Sequence, residues 1–227
     1  MAAMNPAAFT SRAHPLRIEG HLDETPSRWL WVVKWVLLIP HYVVLAFLFI
    51  AALPLTVVAF FAILLTGRYP RPIFNFNVSV LRWWWRVAFY SYSALGTDRY
   101  PPFTLDAAAD YPATLELPYP ERLSRRLVLV KWWLLAVPHY LIIGVFLGGT
   151  TVARHNGASY SASYPGLIDV LSIVAALGIL VTARYPRGLF DLVMGLNRWV
   201  LRVLVYVLLL TDKYPPFRLD LGGAEGL

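Results

Sequence analysis

The fold of this chain is decided by the stretch WLWVVKWVLLIPHYVVLAFLFIAALPLTVVAFFAILLT, residues 29–66. The stretch holds 38 residues, and Lys34 is its only charged residue. One crossing of the hydrocarbon core needs about 20 apolar residues, so this stretch is nearly long enough for two. In the whole chain 58% of residues are hydrophobic and the mean hydropathy is +0.56, which is typical of an integral membrane protein.

The chain contains two copies of one module. The element Pro-His-Tyr begins at Pro40 and recurs after 98 residues at Pro138, whereas Arg-Tyr-Pro-Arg begins at Arg68 and recurs after 116 residues at Arg184. The second copy therefore has 18 extra residues between these landmarks, which we interpret as a polar loop over residues 148–165. Repetition of several motifs in one order indicates a duplicated membrane module.

The spacing of the two lysines differs between the copies. Lys34 lies six residues before Pro40, and Lys131 lies seven residues before Pro138. One residue corresponds to about 100° of rotation around an α-helix, so the two lysines need not share one helical face.

Four membrane-spanning helices are the predicted topology, with both termini in the cytoplasm. In the second copy, residues 127–147 and 166–182 are apolar segments long enough to cross a bilayer. In the first copy, residues 29–66 would have to turn tightly near Leu53 and Pro54. A wedge that dips into the bilayer without fully crossing it remains the alternative.

A third apolar segment follows in each copy, at residues 74–95 and 189–210. An arginine near the bilayer centre costs at least about 3 kcal/mol unless it snorkels or pairs. We therefore predict that both segments are amphipathic helices in the membrane interface, which also keeps nearly all basic residues on the cytoplasmic side. Each segment carries two arginines four residues apart, which are Arg82 with Arg86 and Arg198 with Arg202.

The predicted fold class is thus an all-α membrane protein of two tandem helical-hairpin repeats, each followed by an interfacial amphipathic helix. Alternating residues around Leu16, Phe103, Thr114 and Phe217 also predict short cytoplasmic strands, which could join the N-terminus, the linker and the C-terminus. The predicted divisions are a cytoplasmic segment 1–25, repeat 1 at 26–106, a linker 107–119, repeat 2 at 120–220 and a tail 221–227.

The repeated motifs are Lys-Trp, Pro-His-Tyr, Thr-Gly-Arg-Tyr-Pro-Arg, Arg-Trp with Arg-Val, and Thr-Asp-x-Tyr-Pro-Pro-Phe. In combination they resemble a family of bacterial, largely actinobacterial membrane proteins, the domain of unknown function DUF4389. The resemblance covers about Trp29 to Phe217 as two tandem copies, and Ala183 departs from it where the first copy has Gly67. It implies a multi-pass protein of the bacterial plasma membrane and carries no established activity.

The arginines of both copies are candidate ligands for lipid phosphates, because guanidinium groups bind phosphate oxygens in a bidentate manner. Asp98 and Asp212 are predicted to pair with these arginines or to cap the turn that follows. The predicted lipid-binding residues are Arg68, Arg71, Arg82, Arg86, Arg184, Arg187, Arg198 and Arg202.

His41 and His139 occupy equivalent apolar positions, and two such imidazoles could ligate a haem iron between the copies. The alternative is structural. A proline bends a helix and frees a carbonyl, to which the histidine and tyrosine of Pro-His-Tyr can donate hydrogen bonds.

Enzymatic motifs such as a phosphate loop, a zinc-binding histidine pair or a nucleophile elbow are missing, so we predict no catalysis, no resident cofactor and no metal. The net charge of +7 follows from basic residues that flank the membrane segments, which argues against a nucleic-acid partner. The leading hypothesis is a scaffold or accessory subunit that contacts anionic lipids and packs against a larger membrane complex or another copy. The alternative is a haem-binding or small-solute-conducting membrane protein that uses His41 and His139.

Overall fold

The computed structural model describes residues 14–24, 26–155 and 158–219. The predicted tail 221–227 and residues 1–13 of the predicted N-terminal segment lie outside the described residues. In the structure each repeat includes the strand that precedes its long helix, which the predicted divisions placed in the N-terminal segment and in the linker. The first repeat contains β1 (Arg17–Gly20), α1 (Leu30–Thr66) and α2 (Arg71–Tyr90). The second contains β2 (Ala113–Glu116), α3 (Leu127–Val130), a π-helical turn (Lys131–Leu135), α4 (Val137–Leu147), β3 (Gly148–His155), β4 (Ala158–Pro165), α5 (Leu167–Thr182) and α6 (Arg187–Val207).

The prediction of four membrane-spanning helices in two hairpins is wrong. α1 continues through Leu53 and Pro54 without a turn. A proline removes one hydrogen-bond donor, and no neighbouring glycine or asparagine is present to close a tight turn, so the helix persists. Within the described residues, α1 is the one helix long and apolar enough to cross a membrane. Leu127–Leu135 and Val137–Leu147 reach that length only together, across a bend of 43°.

The prediction that the third segments lie in the membrane interface is also wrong, because α2 and α6 form the core of the protein. Their tryptophans Trp83, Trp85 and Trp199 are buried, and so are Leu81 and Leu201. An amphipathic helix needs an apolar partner for its apolar face, and here the long helices and the β1–β2 sheet provide that partner instead of lipid.

The second repeat has the same order of long and short helices as the first, with a β-hairpin inserted into the long one. β3 and β4 pair antiparallel with Gly148 opposite Pro165, so the ends of α4 and α5 lie side by side. The hairpin consists of the 18 residues by which the second copy is longer, where a polar loop was predicted. Without it, Leu147 would be followed directly by Gly166, and the two helices would match the continuous α1.

The π-helical turn corrects the prediction about the lysines. Lys131 is the first residue of this turn, which lies before Pro138 and has no counterpart in α1. A π-helical turn accommodates one extra residue within a helix. Lys34 and Lys131 are both buried, at 2% and 0% exposure, and they occupy equivalent positions because the backbone absorbs the extra residue.

β1 and β2 pair antiparallel, with Ile18 opposite Leu115. The N-terminal segment and the linker therefore meet in a small sheet, as predicted, but the segments that follow Phe103 and Phe217 are loops, and Asp220 lies outside the described residues. Because each repeat contributes one strand at an equivalent place, the sheet lies on an approximate two-fold axis between the repeats.

The long helix of each repeat ends beside the segment that leads into the long helix of the other repeat. The Gly67 carbonyl at the end of α1 accepts a hydrogen bond of 2.9 Å from Leu123 N, just before α3. At the other end, Arg184 and Tyr185 after α5 line a pocket together with Leu22, just before α1. The long helices of the two repeats consequently run in opposite directions, and a single hydrophobic core joins both repeats.

Candidate functional site

Side chains from four of the five repeated motifs converge in two equivalent groups, one in each repeat. Each group connects a long helix to the amphipathic helix and to the Tyr-Pro-Pro-Phe segment of the same repeat. We call Lys34, His41, Trp83, Tyr90, Asp98, Tyr100 and Phe103 the first cluster, and Lys131, His139, Trp199, Tyr206, Asp212, Tyr214 and Phe217 the second cluster.

A buried ion pair anchors the first cluster. Lys34 Nζ lies 3.0 Å from Asp98 Oδ1, donates to the Thr97 carbonyl at 2.7 Å and sits 4.5 Å from the centroid of the Tyr90 ring. The second carboxylate oxygen of Asp98 accepts a hydrogen bond from Ser27 N, just before α1. A buried ammonium group is tolerated only when it is paired and hydrogen-bonded, and here both conditions are met.

The second cluster repeats this arrangement. Lys131 Nζ lies 2.8 Å from Asp212 Oδ1, donates to the Thr211 carbonyl at 3.0 Å and sits 5.4 Å from the centroid of the Tyr206 ring. Asp212 also accepts from Ser124 N, before α3. The aspartates were predicted to pair with arginines or to cap the turn that follows. The structure pairs them with the lysines, and their second oxygens accept hydrogen bonds from the backbone two residues before the N-cap of each long helix.

His41 is held in the first cluster by its neighbours on three sides. Its Nδ1 accepts a hydrogen bond of 3.0 Å from Trp83 Nε1, and its ring stacks on Phe103 with centroids 3.8 Å apart. Tyr100 contacts the ring and donates from its hydroxyl to the Leu37 carbonyl at 2.9 Å. Leu37 lies one turn before Pro40, so a tyrosine supports the helix near the proline, although it comes from Tyr-Pro-Pro-Phe and not from Pro-His-Tyr.

His139 has the same environment. Its Nδ1 accepts from Trp199 Nε1 at 3.2 Å, and its ring stacks on Phe217 with centroids 4.4 Å apart. Tyr214 contacts the ring and donates to the Leu135 carbonyl at 3.2 Å. The duplication has therefore preserved this cluster down to individual hydrogen bonds.

The hydrogen bond that Nδ1 accepts fixes the tautomer of both imidazoles. A nitrogen that accepts from an indole N–H carries no proton, so the proton of the neutral ring lies on Nε2. Nε2 is buried in both rings, and among the described residues it has no acceptor in hydrogen-bonding geometry. The backbone of Pro101 does approach the imidazole of His41. The haem hypothesis stays a prediction. A phenylalanine covers a face of each ring, and each ring has its partners within its own repeat, which favours the structural interpretation.

Four of the predicted lipid-binding arginines bind groups of the protein. Arg82 Nε donates to the Leu115 carbonyl at 3.1 Å, and Arg198 Nε donates to the Ile18 carbonyl at 3.2 Å. Arg86 is buried, donates from Nη1 to the Asp106 carbonyl at 3.2 Å and also binds the Thr104 carbonyl. Arg202 has an interaction partner within the protein as well.

The other four arginines lie at the ends of the long helices. Arg68, Arg71, Arg184 and Arg187 are exposed, and Arg71 lies 4.9 Å from the centroid of the Tyr119 ring. Phosphate binding by the eight arginines stays a prediction. Arg86 is buried and Arg82, Arg198 and Arg202 are half-buried, so the four at the helix ends are the most accessible of the eight. A search of the described residues for groups of acids and histidines that could hold a metal ion finds none.

The tyrosines of Arg-Tyr-Pro-Arg have a role that the sequence analysis did not predict. Both are buried, and each reaches the other repeat. Tyr69 donates to the Leu208 carbonyl at 3.5 Å and Tyr185 donates to the Ala94 carbonyl at 3.0 Å. Burial raises the pKa of Tyr185 and raises that of Tyr69 to about 12, so both hydroxyls stay protonated. Their repetition in both copies was the available signal.

A family model for a domain of unknown function, DUF4389, matches residues 28–104 and 166–218, which together are more than half of the chain. The chain belongs to the DUF4389 family. The first match contains all seven residues of the first cluster. The second begins directly after the hairpin and contains five residues of the second cluster, because Lys131 and His139 precede it. No curated protein and no solved structure matches the chain.

Proposed function

We propose that this DUF4389 protein is a non-enzymatic membrane scaffold or accessory subunit whose long helices lie within one leaflet of the bilayer. The position of the exposed apolar side chains carries the proposal. Among the described residues, exposed large hydrophobic side chains lie on or beside α1, on the long helical segments and hairpin of the second repeat, and in the loops that follow α2 and α6. Phe47, Leu141 and Val181 are 69%, 72% and 76% exposed. An apolar surface of this extent is typical of membrane or protein contact.

The opposite side of the protein is polar. Arg17, Glu19 and Glu116 are exposed on β1 and β2, whereas Ile18 and Leu115 of the same strands are buried. The sheet packs on α2 and α6, which in turn pack on the long helices through the two clusters. This order of layers supports a body with one wet side and one apolar side, as in proteins that lie in a membrane interface.

The length and direction of the long helices support the same orientation. The 37 residues of α1 extend about 55 Å, whereas the hydrocarbon core is about 30 Å thick. A crossing that kept all of α1 in the core would need a tilt of about 57°, which exceeds the usual limit of about 40°. Helices that run along the membrane, in opposite directions in the two repeats, avoid this mismatch. The wedge that the sequence analysis kept as an alternative shares with this arrangement only that the bilayer is not fully crossed.

The scaffold role is supported by the binding partners of the lysine, aspartate and histidine side chains in the two clusters. The lysines, aspartates and histidines of both clusters bind groups of their own repeat, so they connect helices and do not converge on a shared cleft. The apolar side chains of α1 instead face outward, where they can contact acyl chains or a helix of another membrane protein.

The test uses the tagged full-length chain in its native host. We expect it to stay with membranes washed in alkaline carbonate and to purify in nanodiscs with one partner protein, or another copy, in constant ratio. The variant Phe47→Ser with Ile50→Ser should lose that partner and stay in the membrane, whereas Glu19→Ser with Glu116→Ser, on the polar side, should keep it. Release by carbonate would contradict membrane immersion, and a chain that stays in membranes as a monomer without a partner would contradict the scaffold role.

A further inference from the structure

The junction between the two repeats forms a strongly basic pocket. A pocket of about 530 Å³ is lined there by Thr66, Gly67, Arg68, Arg122, Leu123 and Arg125. The backbone is fixed by the left-handed conformation of Gly67, with φ of 72°, and by its hydrogen bond from Leu123 N. A Cβ at Gly67 would lie 3.5 Å from Arg125 Nε, which is an ordinary van der Waals distance, so the Arg125 side chain lies against the helix end.

The three guanidinium groups of this pocket are available to a ligand. Arg68, Arg122 and Arg125 are exposed, no carboxylate lines the pocket, and none of the three forms an ion pair in the part of the chain that the structure describes. Asp212, which accepts from Ser124 N in this segment, is neutralised by Lys131, and Glu121, the exposed residue before Arg122, does not line the pocket. Unpaired guanidinium groups at one pocket favour an anion with several oxygen acceptors, such as a phosphate group.

A pocket at the other junction has a different charge, and Arg184 is its one residue that matches a residue of the basic pocket, Arg68. It has a volume of about 590 Å³ and includes Arg184 and Arg187, but also Asp23, Glu24 and Asp191. Three carboxylates against two arginines make it unsuitable for an anion. The two junctions thus carry one basic pocket and one pocket that is not basic, in the same protein.

An apolar groove begins about one helical turn before the basic pocket, on the same helix. The groove has a volume of about 460 Å³ and lies between α1, the start of the second repeat and the end of α6. Phe61 lines it and lies five residues, or about 7.5 Å, before Thr66 of the basic pocket. Its lining is apolar except for Thr56, and consists of Leu53, Thr56, Val57, Phe60, Phe61, Trp132, Val207, Leu208 and Leu209.

We infer that the basic pocket and the apolar groove together bind one anionic phospholipid, with its phosphate on Arg68, Arg122 and Arg125 and an acyl chain in the groove beside Phe61. The inference rests on the proposed function, because the groove must lie at the depth of the acyl chains. The charge complementarity selects a lipid with a negative headgroup over a zwitterionic one. The site lies at the first junction, since the pocket at the other junction carries carboxylates.

The test counts the lipids that remain on the full-length chain after purification, by native mass spectrometry with added phosphatidylglycerol or phosphatidylcholine. The variants R122Q/R125Q and R184Q/R187Q each remove two positive charges, one pair from each junction. We expect the wild type and R184Q/R187Q to keep phosphatidylglycerol and R122Q/R125Q to bind it about tenfold more weakly. Equal loss in the two variants, or equal retention of phosphatidylcholine, would overturn the inference. Melting of each variant in detergent verifies that it is folded.

A second variant tests the groove. Val57→Trp fills it without touching the arginines, and we expect this variant to lose phosphatidylglycerol as well. If Val57→Trp retains the lipid, or if inorganic phosphate alone displaces it from the wild type, the site is a free-anion site and the inference fails. The carbonate wash separates this failure from failure of the proposed function: a chain that stays in membranes without preference for phosphatidylglycerol contradicts only the lipid site.

Discussion

Ile18 and Leu115 face each other across the antiparallel pair of β1 and β2, and each is held by an arginine of the other repeat. Arg198 of the second repeat binds the carbonyl of Ile18, and Arg82 of the first binds that of Leu115. Tyr69 and Tyr185, the tyrosines of Arg-Tyr-Pro-Arg, likewise donate hydrogen bonds to carbonyls of the other repeat. The two copies are therefore one folded unit, in which neither repeat completes its own core.

These hydrogen bonds between the repeats predict that substitution of either arginine lowers the stability of the protein. Arg82→Met and Arg198→Met each remove a charged hydrogen bond to a strand carbonyl, and we expect each to lower the free energy of unfolding by about 1–2 kcal/mol. Arg17→Met, an exposed arginine on β1, should change it by less than about 0.5 kcal/mol. Thermal unfolding in detergent measures all three, and equal effects at Arg17 and Arg82 would show that the cross-repeat bonds do not hold the sheet.

The sequence predicted the duplication, the position of the 18 extra residues and the pairing of the N-terminus with the linker, because each leaves a local pattern, but it predicted a polar loop where the structure has a hairpin. It could not predict the membrane topology, because an apolar run of 38 residues has the same composition whether it turns or continues. Nor could it assign Arg82 and Arg198: two arginines on one helical face suit lipid phosphates and backbone carbonyls equally well. Which repeat Tyr69 contacts depends on tertiary packing alone.

The buried ion pair of the first cluster predicts strong coupling between its members. Lys34→Met leaves the partly buried Asp98 and the Thr97 carbonyl without their partner, and we expect a loss of about 3 kcal/mol or more. Asp98→Asn keeps an acceptor for Ser27 N but leaves the ammonium group unpaired, so it should also destabilise. The double variant should lose less than the sum of the two single losses. Additive losses in unfolding experiments would mean that the ion pair contributes no coupling.

The π-helical turn predicts an asymmetric tolerance to single deletions. Deletion of the exposed Leu134 shortens the spacing in the second repeat to that of the first, and should convert the turn to α-helix with Lys131 still on Asp212. Deletion of the exposed Val36 in α1, which has no such turn, rotates Lys34 by about 100° relative to His41. We expect near wild-type melting for the first deletion and loss of folded protein for the second. The opposite ranking would reject this account of the turn.

The ends of the long helices predict opposite effects for one pair of substitutions. Both ends adopt the left-handed conformation, at Gly67 with φ of 72° and at Ala183 with φ of 56°. A non-glycine residue costs about 1 kcal/mol or more there, partly offset by the flexibility that glycine adds to the unfolded chain. Ala183→Gly should therefore stabilise by about 0.5–1 kcal/mol and Gly67→Ala should destabilise by about 1 kcal/mol. Destabilisation by Ala183→Gly would show that the second helix end is held by other contacts.

The single-leaflet orientation predicts that both ends of α1 lie on the same side of the membrane. The chain contains no cysteine, so each introduced thiol is the only one that reacts. Arg28→Cys lies just before α1 and Asn75→Cys lies shortly after it, and both positions are exposed. We expect an impermeant maleimide to label both from one side only, together with Glu19→Cys on the sheet. Phe47→Cys, in the middle of the apolar surface, should stay unlabelled until detergent is added. Labelling of Arg28→Cys and Asn75→Cys from opposite sides would establish α1 as a crossing helix and reject the single-leaflet arrangement.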